Sequence, residues 1–88
     1  MAYDYQTQRP NLFTEEGSTL FLSIYEKARS RIRISGAVRM AELMQGHSGD
    51  SWDMLACADR LVELRKIREV TTDCAGQDRV FVAGSDFE

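Results

Sequence analysis

Eighty-eight residues, 43% of them hydrophobic and 28% charged, suffice for one small domain with a single core and leave no room for a second. Fourteen acidic against eleven basic side chains give a net charge of -3, so overall charge draws the chain neither to nucleic acid nor to an anionic membrane. A partner of either kind needs a local basic patch. The sequence holds no apolar run of membrane-spanning length. Its start, MAYDYQTQRPNLFT, has neither the basic beginning nor the apolar run of a signal peptide, which predicts a soluble cytoplasmic protein with no membrane partner. Cys57 and Cys74 are seventeen positions apart, without the close pairing of a zinc or redox site, and read as reduced thiols.

Residues 1–13 read as a loosely held N-terminal tail, 14–83 as the folded domain and 84–88 as a C-terminal tail, with Tyr3, Tyr5, Leu12 and Phe13 able to fold back on the core or to pack against a second copy in a dimer. Thr14 followed by Glu15 and Glu16 marks a helix start: the hydroxyl accepts from free amides and the carboxylates face the positive end of the dipole. Leu20, Phe21, Ile24, Tyr25 and Ala28 recur at helical spacing and predict a first helix ending near Arg31. The alternation of Ile32 and Ile34 with Arg31 and Arg33 predicts a short strand. Ser35 then caps a second helix carrying Ala37, Met40, Ala41 and Met44 on one face, stopped by Gly46. Asp50 or Ser51 caps a third helix running to about Leu64. KIREVTT and RVFVA read as two strands of a hairpin with Gly76 at its tip.

The fold class is therefore α+β, ordered helix, strand, helix, helix, strand, strand. That order, with the stretch ADRLVELRKIREV at residues 58–70, resembles the winged helix-turn-helix family over residues 14–83. Ala58, Leu61 and Ile67 match apolar positions of the family pattern, while Arg65 stands where that pattern has a glycine with positive φ. The resemblance implies a three-helix core and a two-stranded wing pairing with the first strand. It also implies a DNA-binding, transcription-regulator-like function with the third helix in the major groove.

The third helix offers a groove little. Leu55, Ala58 and Val62, flanked by Met54 and Leu61, form its expected core face; Asp53, Ala56, Cys57, Arg60 and Glu63 lie opposite. Four acids and one base between Asp50 and Glu63 give a local charge of -3, which repels phosphate. The family pattern would put Trp52, Asp53, Leu55 and Ala56 where base-reading side chains sit, a surface better suited to a protein partner or a second copy. Packing against the wing or a tail is the plain structural reading of Trp52.

Basic residues gather elsewhere. Lys27, Arg29, Arg31, Arg33 and Arg39 place five positive charges and no negative one in thirteen residues, and Arg68 and Arg79 add a pair on the wing. Arg29, Arg31, Arg33, Arg39, Arg60, Arg68 and Arg79 are the candidate DNA contacts, through strands and wing. A solvated face, or protection of an edge strand from pairing, explains such a run equally. His47 reads as a surface turn residue. Catalysis has no footing: the carboxylate pairs Glu15/Glu16 and Asp50/Asp53 are explained by helix-start electrostatics, and neither a phosphate loop nor a metal-ligand spacing occurs. The expectation is a non-enzyme without cofactors. The leading function is DNA binding through the basic strand and wing surface; the competing one is protein interaction or dimerisation through the Trp52 face.

Overall fold

The computed structural model describes residues 2–47, 49–71 and 78–87. In chain order these form α1 (Tyr5–Gln8), a 3-10 turn (Arg9–Phe13), α2 (Glu15–Ser35), β1 (Ala37–Arg39), α3 (Met40–Met44), α4 (Ser51–Glu63), β2 (Ile67–Glu69) and β3 (Val80–Ala83). The fold is α+β, with a three-stranded antiparallel sheet in the order β1-β3-β2. Gly76 and Cys74 lie outside the described residues.

α2 begins at the expected cap, with the Thr14 hydroxyl accepting from the Gly17 amide at 3.0 Å. Gly17 itself is dictated by space, since a Cβ there would lie 1.9 Å from the Asn11 carbonyl oxygen. The first strand expected at Arg31–Ser35 is instead the last turn and a half of α2. Ile24, Ala28 and Ile32 follow one another at i+4, so Ile32 extends the buried helical stripe, whereas Ile34 is left 76% exposed. Gly36, at φ 83, ends the helix through its amide to the Ile32 carbonyl at 2.8 Å. Ser35 is therefore helical and caps nothing. The strand falls on Ala37–Arg39, and the second core helix shrinks to Met40–Met44, where the Glu42 carboxylate accepts from the Arg39 amide at 3.1 Å.

α4 is capped by Asp50, whose carboxylate accepts from the Trp52 amide at 2.8 Å. At its other end Arg65 takes the left-handed conformation, φ 63. The Arg65 amide donates to Val62 O and the Lys66 amide to Leu61 O, a Schellman closure that turns helix directly into β2. The amides of Gly84 and Asp86 donate back to Lys66 O and Arg65 O, so the C-terminal residues clamp this junction rather than trail from it.

In the sheet, Val38 pairs with Phe81 and Ile67 with Ala83, directing Val38, Phe81 and Ile67 into the core beside Ile24, Met40, Leu43 and Leu61. Ala37, Arg39, Val80, Val82 and Arg68 alternate onto the opposite, outward face. The first thirteen residues do not behave as a loose tail. Leu12 is 4% exposed in the core cluster, and Tyr3 and Tyr5 pack against that cluster.

Candidate interaction surfaces

α4 is buried on two sides. Its apolar side packs into the core. On the other side the N-terminal segment crosses the helix, so that Ala56 and Cys57, expected to face outward, are fully buried. Leu55 is 8% exposed and Ala56 0%, which removes both from any docking face; Trp52 is half-buried with its ring edge-on to Tyr3, centroids 6.5 Å apart. Of the packings expected for Trp52, against the wing or against a tail, the one found is against the N-terminal segment, where its ring meets Tyr3.

The crossing is fastened through the acids of α4. The Tyr3 hydroxyl donates to Asp59, and the Asn11 amide nitrogen donates to Asp53 at 3.2 Å. One Glu63 oxygen accepts from Tyr5 Oη at 2.8 Å, Arg9 Nε at 3.3 Å and Arg60 Nη1 at 2.6 Å. Bonds from Arg60 and Tyr5, joined by Arg9, hold the Glu63 carboxyl down at about 2. Burial and the donated bond to Asp59 push the Tyr3 hydroxyl upward. The acidity that repels phosphate in the sequence is thus consumed within the chain.

Arg79 joins α4 to β2. Its guanidinium donates to Asp59 at 2.6 Å on α4 and to both Glu69 oxygens, at 2.8 and 3.1 Å, on β2, and its head lies 5.1 Å from the Phe81 ring centroid. Burial alone would favour the neutral form, but the bonds Arg79 donates to Glu69 and Asp59 outweigh it and raise its pKa further. Glu69 is correspondingly lowered, chiefly by Arg79.

These contacts dismantle the expected basic surface. Arg79 and Arg60 are internal ion-pair partners. Arg31 and Arg33 sit on α2 rather than on a strand, and Arg31 pairs with Glu42 at 3.6 Å. Arg29 lies over the Tyr25 ring, 5.5 Å from its centroid. Only Arg39 and Arg68, of the seven, share the outward face of the sheet, opposite Val80 and Val82 respectively on β3.

A surface missed in the sequence lies between α2, α4 and the 3-10 turn. Phe13 is 58% exposed, Leu22 59% and Leu64 37%, and the three line one groove of about 270 Å³ with Leu12, Phe21 and Arg60. The Arg9 and Arg60 guanidiniums lie 5.1 and 5.5 Å from the Phe13 ring centroid. Leu22 could have been noticed as an apolar residue off the α2 stripe. Its neighbours in the groove come from distant parts of the chain, and nothing local marks them.

Cys57 is a free thiol whose pKa is pushed up to about 12 by burial and by Asp53, the opposite of an activated nucleophile. His47 Nε2 lies 3.3 Å from Ser23 Oγ. Among the described residues no three or more His, Cys, Asp or Glu side chains are placed to hold a metal ion, and no helix is long and apolar enough to cross a membrane. Comparison with protein-family models, curated proteins and solved structures finds no match to this chain.

Proposed function

We propose that the chain is a non-enzymatic protein-interaction module on a winged-helix-type scaffold, docking its partner in the Phe13–Leu22–Leu64 groove. The element order from α2 onward and the β1-β3-β2 sheet support the scaffold. The groove carries the function: three of the five large apolar side chains that the described residues expose converge on it. The helix that would otherwise read DNA is acidic and covered. Docking therefore falls not on Trp52, Asp53, Leu55 and Ala56 but beside them, on the groove that the covering segment creates. A photoreactive benzoylphenylalanine at position 22, compared in cells with one at position 68, tests this. Protein adducts at 22 and not at 68 are expected; adducts at neither position would sink the reading.

Arg39 and Arg68 favour a second reading, nucleic-acid binding through the outward sheet face. From the register and strand spacing their Cα atoms are roughly 12 Å apart, with Val80 and Val82 between them. This reading requires duplex affinity that falls steeply with salt and that Arg39→Glu with Arg68→Glu abolishes. Under the first reading a labelled random duplex binds neither the native chain nor the double variant, even at low salt.

A further inference from the structure

Resting on the docking reading, we infer that the partner in this groove is a second copy of the chain, its α2 lying antiparallel across Leu22. Glu15, Leu22 and Arg29 are spaced seven apart on α2. Seven residues are two turns, so the three share one outer ridge, Leu22 in the middle and a charge of opposite sign about 10.5 Å to either side. A twofold axis through Leu22 sets each Glu15 against the partner's Arg29. The ridge is thus complementary to itself only in the antiparallel sense; a parallel pair would place like charges together. An isologous contact of this kind closes at two copies.

The surroundings fit that arrangement. Leu22 is 59% exposed at the centre of the ridge, with the groove walled by Phe13 and Leu64 beside it, and an antiparallel partner would present its own Leu22 there. The Tyr25 ring under Arg29 holds the guanidinium on α2 within reach of the neighbouring copy. α2 helices packed side by side at 8–10 Å bring such charges into ion-pair range.

Sedimentation equilibrium on the full chain over a wide concentration range tests the inference. The native protein is expected to dimerise, and Leu22→Asp to weaken the dimer roughly thirtyfold or more, with its circular dichroism unchanged because the site is exposed. Charge reversal then reads the orientation. Glu15→Arg alone and Arg29→Glu alone each place like charges across the axis and weaken association, whereas an equimolar mixture of the two variants pairs Arg with Glu at both ends and restores it. A native chain that stays monomeric, a dimer indifferent to Leu22→Asp, or a mixture no tighter than its components overturns the proposal. Adducts at position 22 to a different protein, from a monomeric chain, would remove the second copy and leave the docking groove standing.

Discussion

The two sides of α4 are held by different chemistry. Toward the core, Leu61 and Ala58 are sealed in an apolar cluster with Ile24, Met40 and Phe81; toward the N-terminal segment, Asp53, Asp59 and Glu63 accept from Asn11, Tyr3, Tyr5 and Arg9. The first seam is built from area removed from water and is indifferent to pH. The second adds, around the buried Ala56, Cys57 and Leu12, hydrogen bonds to carboxylates at a partly wet surface, each modest. The difference teaches that an acidic helix face need not be aimed at an external partner: here the acids anchor the chain's own first dozen residues.

Breaking the apolar seam has the largest expected effect. Leu61 is fully buried, and Leu61→Ala should cost about 2–5 kcal/mol, through lost transfer energy and the cavity left behind. Chemical denaturation should show this loss unchanged between neutral and mildly acidic buffer. A loss that varied with pH would mean the two sides of α4 are not separable.

Arg79→Met tests the link between α4 and β2. It leaves Asp59 and Glu69, with side chains 19% and 26% exposed, facing each other without a cation, at a cost of about 2–3 kcal/mol. A cost below the usual surface range, about 0.5 kcal/mol, would show that the guanidinium is incidental to the position of β2.

The polar seam predicts stability limits on both sides of neutrality. Glu63 is held at about 2 against an ordinary 4.5, so its contribution is complete above that ordinary value and disappears as pH falls toward 2. Tyr3 is raised above its ordinary 10.0, so its contribution is complete below 10 and disappears as the unfolded tyrosine ionises at higher pH. Glu63→Gln should flatten the acid limb and Tyr3→Phe the alkaline limb, the latter costing about 1–2 kcal/mol at neutral pH. Thermal melts across pH check both. Because Trp52 contacts the Tyr3 ring, its emission should shift when the segment lifts in acid before the core melts.

How far the sequence disclosed this molecule follows the same division. Caps at Thr14 and Asp50, the apolar stripe of α2 and the strands at Ile67 and Val80 were legible because their causes are local or periodic. The first strand was misplaced because Ile32 and Ile34 satisfy period two over four residues, while the longer i+4 series through Ile24 and Ala28 decides the structure. The N-terminal cover was legible only as apolar residues free to fold back on the core or to meet a second copy; where it docks was not, because its residues have no periodicity and Tyr3 and Tyr5 find partners 56 and 58 positions away. For the same reason the apolar groove was missed, since its walls exist only once that segment has docked.

The smallest prediction acts on both seams equally. Arg65 sits at φ 63, where a Cβ crowds the following carbonyl, and it does so because the Schellman closure and the clamp from Gly84 and Asp86 require the chain to turn there. Arg65→Gly relieves that crowding and should stabilise the protein by about 1 kcal/mol, raising Tm by roughly 4–8 °C. Since no titrating bond of the polar seam involves Arg65, the whole pH profile should rise without changing shape, leaving the acid limb of Glu63 and the alkaline limb of Tyr3 where they were. A profile that changed shape would tie the α4–β2 junction to the N-terminal cover, and α4 would then answer to its two sides as one unit.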